Sequence, residues 1–155
     1  MHFHLLAVGR LRPSYREACD DYLRRLGRSV KVTEVEVKEA SRAPTTKARR
    51  EEEARRLQAR MPGGATVVAL AREGSAWTSE ELAARLEGWR VAARPVAFLI
   101  GGSHGLAPAL LASAAVRWSL GPLTLPHELA RVIVVEQLYR AFTILRGEPY
   151  HKGRP

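Results

Sequence analysis

The sequence predicts an α/β fold in which a mostly parallel β-sheet is flanked by helices. Segments with strand character alternate with segments of helical periodicity along the whole chain. Most strand segments are apolar at successive positions, which is typical of strands in a parallel sheet covered by helices on both faces. A length of 155 residues suits one domain of ordinary size, so we expect residues 1–155 to form a single domain.

The first half of the chain contains three predicted strands and two predicted helices. Apolar side chains from Tyr15 to Leu26 recur every three or four residues, between Pro13, which suits a first helical turn, and Gly27. A charged segment over residues 47–60 predicts the second helix. The strands are predicted where apolar and β-branched residues are concentrated, at residues 5–9, 30–37 and 65–71.

The second half contains two more predicted strands, over residues 95–100 and 116–120. Thr78 and Glu81 have the spacing of a capping box, which predicts a helix that continues to about Ala92. A short alanine-rich helix follows the fourth strand. The last predicted helix, residues 128–146, has Gly147 at its C-cap position.

This last predicted helix is apolar on nearly every side. Its apolar residues are Leu129, Val132, Ile133, Val134, Val135, Leu138, Tyr139, Ala141, Phe142, Ile144 and Leu145. Such a helix is normally buried on more than one side, and a single sheet covers only one. We therefore expect a homodimer in which a second subunit covers the other side.

The charge indicates a polyanionic partner. Lys and Arg exceed Asp and Glu by 25 to 16, which gives a formal net charge of +9. No apolar run approaches the roughly 20 residues that span a bilayer, and the N-terminus lacks the pattern of a signal peptide. The single cysteine, Cys19, excludes an intrachain disulfide and lies on the apolar side of the first helix. We expect a reduced, cytoplasmic protein that handles a negatively charged partner, of which RNA, DNA and acidic membranes are the common ones.

Two loops follow consecutive predicted strands and are candidates for a binding crevice. Gly101–Gly105 is rich in glycine, but it matches neither the dinucleotide-binding nor the phosphate-loop pattern. It is either a ligand-binding loop or a tight strand-to-helix turn. The loop from Leu120 to His127 is apolar and stiffened by proline, so it is either the wall of an apolar cofactor pocket or a structural connection. Ligands of open α/β sheets bind where such loops surround a crevice.

Charged and aromatic residues near the end of the chain form a second candidate region. Glu136 and Arg140 have i, i+4 spacing, which suits either a structural ion pair or the wall of an active site. The tail beyond them combines Tyr150, His151 and basic residues, which can stack on a base and hold phosphates, although chain ends are often frayed. His2 and His4 share a strand face without a third ligand, so no metal site is predicted.

Four blocks of the sequence resemble the RlmH family of SPOUT-class methyltransferases. These blocks are Phe98–Leu106, Ser119–His127, Arg131 with Glu136–Ala141, and Pro149–His151. The resemblance covers essentially the whole chain. It implies a parallel sheet with a C-terminal trefoil knot, a homodimer, and S-adenosylmethionine as cofactor. The implied reaction is methylation of N3 of a pseudouridine in 23S ribosomal RNA, on the assembled ribosome, so the implied partner is RNA and neither DNA nor a membrane.

The resemblance also implies a role for particular residues. The implied cofactor-binding residues are Leu70, Gly102, Gly121, Pro122, Leu123, Thr124, Leu125 and Pro126. The implied catalytic residues are Glu136, Arg140 and His151, and the RNA-binding residues are His127, Tyr139, Tyr150, Lys152 and Arg154. Residues 146–155 would form an RNA-facing tail that completes the site of the other subunit. Lys152 stands where the family can carry arginine, so a bidentate phosphate contact would become a point-charge contact.

The implied chemistry requires that the N3–H of the base loses its proton. His151 or Glu136 could accept this proton, and Arg140 could stabilise charge on the neighbouring carbonyls.

Two other functions use the same basic surface. One is a knotted methyltransferase that acts on transfer RNA, and the other is a non-catalytic, ribosome-associated RNA-binding factor. Binding of S-adenosylmethionine separates the enzyme from the non-catalytic factor.

Overall fold

The computed structural model describes residues 1–152, in which strands and helices alternate as the sequence predicts. The strands are β1 (His2–Val8), β2 (Lys31–Val37), β3 (Thr66–Ala76), β4 (Val96–Ile100) and β5 (Val116–Ser119). The helices are α1 (Pro13–Leu26), α2 (Thr46–Gln58), α3 (Ser79–Ala92), α4 (Pro108–Ser113) and α5 (His127–Leu145).

The five strands form one sheet in the order β2-β1-β4-β3-β5, and all four strand pairs are parallel. The prediction of an α/β fold with a mostly parallel sheet is therefore confirmed. Because the strands are parallel, their carboxyl ends lie at one edge of the sheet, where the loops that follow β4 and β5 also lie.

Strand β3 is longer than the predicted strand over residues 65–71. It continues to Ala76 by pairing with β5 across a register shift between Leu70 and Ser75. Within this irregular segment, a Cβ atom on Gly74 would lie 2.6 Å from the carbonyl carbon of Arg117. The close approach of the two backbones requires glycine there, and the polar composition of the segment hides the strand from sequence patterns.

Two apolar cores cover the two faces of the sheet. The larger core contains Phe3, Phe98 and Trp118 together with buried residues of α1, α3 and α5. The smaller core contains Leu6 and Leu99 together with residues of α2 and α4. Cys19 is fully buried in the larger core, which confirms its interpretation as a core residue.

Helix α5 packs between α1 and α3, so its own chain covers more of it than the sheet alone would. Val134, Val135 and Leu138 are fully buried, whereas Leu129 and Ile133 remain half-buried. The helix ends at Leu145 with Arg146 at the C-cap, one residue earlier than predicted. Gly147 therefore stands one position beyond the C-cap, with a φ of 66°, and its amide and that of Glu148 donate to carbonyls of the last helical turn. No helix within residues 1–152 is long and apolar enough to cross a membrane.

Candidate functional site

A cavity of about 590 Å³ opens at the carboxyl-terminal edge of the sheet. Its volume lies within the range of about 300–1,000 Å³ that is usual for small-molecule sites. The two candidate loops line it from opposite sides. One wall is the glycine turn, Gly101–Gly105, and the other is the proline loop, Leu120–Pro126.

The glycine turn is closed by its own backbone and held from outside by α2. The amide of Gly105 donates to the carbonyl of Gly102 at 3.0 Å. Arg50 on α2 donates from Nε to the carbonyl of His104 at 2.7 Å, and Nη1 of Arg49 lies 3.2 Å from Nε2 of His104. An arginine can only donate, so Nε2 of His104 accepts and the imidazole proton is on Nδ1.

The proline loop is held at its start by the hydroxyl of Ser119. This hydroxyl accepts a hydrogen bond from the amide of Gly121 at 3.1 Å and donates to the carbonyl of the same residue at 3.2 Å. The φ angle of Gly121 is 113°, a conformation that disfavours residues with a Cβ. A Cβ there would meet no protein atom within 4 Å, so the backbone of this residue faces open space beside the cavity.

The cavity brings together six of the eight residues predicted to bind a cofactor. Those that line it are Leu70, Gly102, Gly121, Leu123, Thr124 and Leu125. Pro122 and Pro126 belong to the same loop but lie outside the lining, and Pro126 instead precedes the first turn of α5. His127, predicted to contact RNA, also lines the cavity.

A second group of predicted residues lies further along α5. We call it the Glu136 cluster, and it consists of Glu136, Arg140, Tyr150 and His151. Arg140 donates to Oε2 of Glu136 from Nη2 at 2.7 Å and from Nε at 3.1 Å. The hydroxyl of Tyr150 donates to the same oxygen at 2.8 Å. Nη1 of Arg140 donates to Nδ1 of His151 at 3.1 Å, and Nε2 of His151 lies 3.2 Å from Oε1 of Glu80 on α3.

The electrostatics of the Glu136 cluster keep its donors protonated. Hydrogen bonding to Glu136 raises the pKa of Arg140. Burial, followed by hydrogen bonds with Tyr22 and Glu136, raises the pKa of Tyr150. The guanidinium and the phenol therefore both remain donors to the carboxylate at neutral pH.

The other predicted RNA-binding residues lie beside this cluster or beyond it. Tyr139 packs edge-to-face on Tyr150, with ring centroids 4.8 Å apart, and the guanidinium of Arg25 lies over Tyr139 at 5.8 Å. Lys152 is exposed. Arg154 lies outside the described residues.

The cavity and the Glu136 cluster do not meet within one chain. Ala130 lines the cavity, and Glu136 stands six residues later on the same helix. At a rise of about 1.5 Å per residue, the two positions are roughly 9 Å apart along the helix axis. The residues predicted to act in one reaction therefore lie at two places on α5.

Three contacts around the candidate site were not predicted from the sequence. One is the pair Arg49 and Arg50 on the glycine turn. Another is a polar chain from α3, in which Ser79 donates to Oε1 of Gln137 at 2.6 Å and Nε2 of Gln137 donates to Oε1 of Glu136 at 2.7 Å. Neither contact has a signal in the sequence, because each joins residues far apart in the chain.

The third is the buried guanidinium of Arg131, which is 1% exposed. Its Nη2 donates to the carbonyl of Gly9 at 2.9 Å, while Nη1 contacts the carboxylate of Glu36 and lies 3.5 Å from that of Glu34. Arg131 thus joins α5 to the carboxyl ends of β1 and β2, next to the glycine turn. The sequence did carry one signal for this buried ion pair, because Arg131 is a single cation within an apolar stretch of helix.

Comparisons with known proteins agree with this geometry. A family model described as "Predicted SPOUT methyltransferase" matches residues 1–151. The chain is 55% identical over 152 residues to the ribosomal RNA large subunit methyltransferase H of Rubrobacter xylanophilus, covering 95% of this chain and 96% of that protein. It is 48% identical over 153 residues to the protein of the same name from an Anaeromyxobacter species, covering 98% and 100% of the two chains.

A solved structure supports the fold independently. A probable methylase family protein from Haemophilus influenzae is similar over 99% of this chain and 71% of its own, with a TM-score of 0.57. At 12% sequence identity, this similarity concerns the fold alone.

Proposed function

The chain belongs to the SPOUT methyltransferase family, and from this premise we propose that it methylates N3 of a pseudouridine in 23S ribosomal RNA. The proposed methyl donor is S-adenosylmethionine and the proposed substrate is the assembled ribosome, which places the protein in the cytoplasm. The observation that carries the proposal is the cavity between the glycine turn and the proline loop. The ribosomal substrate is proposed from the named activity of the relatives.

The residues around the cavity fit such a donor. Leu120, Leu123 and Leu125 offer an apolar wall for a purine ring. No protein atom lies within 4 Å of a Cβ position on Gly121, so a ring can approach this backbone closely. The amide of Gly121 is already bonded to Ser119, but its carbonyl oxygen has a second lone pair for the edge of the ring. The opposite wall carries charged side chains that suit a polar end of the same molecule. Membership of the family implies that the C-terminal portion of the chain is tied in a trefoil knot.

When bound, S-adenosylmethionine supplies an electrophilic methyl group, so the protein has to position the acceptor and handle its proton. The Glu136 cluster suits this task. Glu136 accepts hydrogen bonds from Gln137, Arg140 and Tyr150, so its carboxylate is fully engaged. His151 receives a single donor, Arg140, at Nδ1. Loss of one contact would free His151 to accept the N3 proton, and the released guanidinium could stabilise the adjacent carbonyl.

A homodimer would bring the two places on α5 into one site. Leu129, Ile133, Glu136 and Arg140 share one face of the helix at i, i+4, i+7 and i+11 spacing. The half-buried apolar pair on this face lies between the cavity end and the Glu136 cluster. A second subunit packed on this face would cover the apolar pair and set its tail, with Tyr150 and His151, beside the neighbouring cavity. Lys152 of the tail would then face an RNA phosphate, and Arg154, which lies outside the described residues, is proposed to bind RNA as well.

The test is transfer of a labelled methyl group from S-adenosylmethionine to ribosomes from a strain that lacks the modification. Joined ribosomes, separated subunits and naked RNA are compared, and the modified base is identified by mass spectrometry. We expect label at N3 of a pseudouridine in joined ribosomes and none in naked RNA. Label in transfer RNA alone would contradict the substrate, and failure to bind the donor would favour a non-catalytic ribosome-associated factor.

A further inference from the structure

The two walls of the cavity differ in chemistry. The proline loop contributes leucines, whereas the glycine-turn wall carries Arg50 and His104. Arg72 and Glu73 of β3, the strand between the two loops, add further charge to the lining. A molecule with an apolar ring at one end and charged groups at the other would place its ends on different walls, because a charge against an apolar wall loses its solvation.

Arg50 is fixed in place yet has unused donors. Its Nε donates to the carbonyl of His104, which holds the guanidinium against the glycine turn. Within residues 1–152, no carboxylate lies within ion-pair distance of Arg50 and no acceptor binds its two terminal nitrogens. The side chain is half-buried and lines the cavity. A guanidinium held in this way matches the two oxygens of a carboxylate.

His104 adds a second donor on the same wall. Because Arg49 donates to Nε2, the proton of the neutral imidazole is on Nδ1. Two neighbouring arginines of α2 thus act on one residue of the turn, with Arg50 holding its backbone and Arg49 fixing its ring.

We propose that Arg50 and His104 form a subsite for the carboxylate of the methyl donor's amino-acid end, with Glu73 facing its ammonium group. The proposal rests on the proposed function and adds to it the orientation of the donor, with the purine on the proline loop and the zwitterion on the glycine turn. Arg50 would then both shape the turn and bind the ligand.

Calorimetry with two ligands tests the orientation without any turnover. S-adenosylhomocysteine has the amino-acid end, and 5′-methylthioadenosine carries the same nucleoside without it. In Arg50→Met we expect affinity for S-adenosylhomocysteine to fall about 10- to 100-fold, the usual effect of losing a charged hydrogen bond. Affinity for 5′-methylthioadenosine should change less than twofold. His104→Ala should show a smaller loss with the same ligand preference.

A matched control lies on the same helix. Arg55 is exposed, pairs with Glu52 and does not line the cavity, so Arg55→Met should leave both affinities unchanged. Equal losses for both ligands in Arg50→Met would overturn the subsite, because they would mean that Arg50 only supports the turn. If Arg50→Met binds both ligands normally but has a higher KM for ribosomes, the subsite is also overturned. Arg50 would then be assigned to an RNA phosphate. Failure of the unaltered protein to bind S-adenosylhomocysteine would instead contradict the proposed function.

Discussion

The cavity and the Glu136 cluster lie at two places along one helix and are built from different kinds of groups. The cavity consists of loop backbone, leucines and glycines that the sheet and α2 hold in place. The Glu136 cluster consists of charged and aromatic side chains that hold one another. Ligand affinity in a site made of backbone depends on the fold, whereas turnover in a site made of side chains depends on each side chain. Single substitutions in the two regions should therefore affect affinity and turnover differently.

The largest expected effect is on the Glu136 cluster. Arg140→Met removes the donor shared by Glu136 and His151, so we expect the turnover number to fall about 10²- to 10³-fold. Affinity for S-adenosylhomocysteine should stay within twofold, because Arg140 stands ten residues, or roughly 15 Å along the helix axis, beyond Ala130 of the cavity lining. Single-turnover kinetics and calorimetry measure the two effects. A parallel loss of affinity would show that the two regions are not separate, and Arg140→Lys should recover part of the activity.

The next effect concerns Arg131, which lies on α5 between the two regions. Arg131→Met removes the donor that binds the carbonyl of Gly9. It also removes a positive charge beside the carboxylates of Glu34 and Glu36. We expect the free energy of unfolding to fall by about 3 kcal/mol. Arg24 is exposed and, among residues 1–152, forms an ion pair with Asp21 alone, so Arg24→Met should cost less than about 0.5 kcal/mol. Urea unfolding measures both, and equal costs would refute the structural role of Arg131.

A change in the cavity wall should reverse the pattern seen for Arg140. Leu123→Asp places a charge where an apolar ring is proposed to lie, so we expect about 30-fold weaker binding of S-adenosylhomocysteine. Leu123 is 74% exposed, and the change should therefore leave the unfolding free energy nearly unaltered. Val91 on α3 is 71% exposed and serves as the control, since Val91→Asp should not affect binding. Unchanged affinity in Leu123→Asp would remove the proline loop from the donor site.

Gln137 offers a smaller test of the side-chain region. It donates to Glu136 and accepts from Ser79, so Gln137→Ala should loosen the carboxylate without removing it. We expect about tenfold lower turnover with an unchanged KM for ribosomes. Ser79→Ala should reproduce part of this loss, and Ser79→Thr should restore it. An effect on KM alone would mean that Gln137 contacts the substrate directly.

The smallest effect involves Cys19, in the core beneath α5. Burial raises the pKa of its thiol to about 12, from an ordinary value near 9. Between these values the unfolded chain loses the proton and the folded chain keeps it. This contribution to stability is complete below about pH 9 and is lost as the pH rises. Between pH 8 and pH 10 we expect a decrease of about 1 kcal/mol in the unfolding free energy. In urea unfolding, Cys19→Ala should lack this part of the decrease between pH 8 and pH 10.

The order of strands and helices could be predicted from the sequence because apolar periodicity reports burial directly. The two loops around the cavity were also predictable, since both follow apolar strands and carry glycine or proline. The extension of β3 to Ala76 could not be predicted from the sequence, because its pairing with β5 depends on a backbone contact at Gly74 rather than on apolar side chains.

For the candidate site, the sequence predicted which residues belong to it better than it predicted which residues they contact. The i, i+4 spacing predicted the contact between Glu136 and Arg140, which the structure contains. The chain from Ser79 through Gln137 joins α3 to α5, and the contact of Arg50 with His104 joins α2 to the glycine turn. Such contacts depend on how elements pack, and one sequence without its fold carries no record of that packing.

The strand order has a consequence for the time course of folding. The neighbours of β3 in the sheet are β4 and β5, and both follow it in the chain. While residues 1–95 emerge during synthesis, the only pair that can form is β1 with β2, and β3 has no partner strand. Pairing of β1 with β4 also closes a loop of about ninety residues, and such distant pairings are slow to form. The nascent chain therefore exposes unpaired apolar strands until its second half is made, and it is during this interval that chaperones would protect it from aggregation.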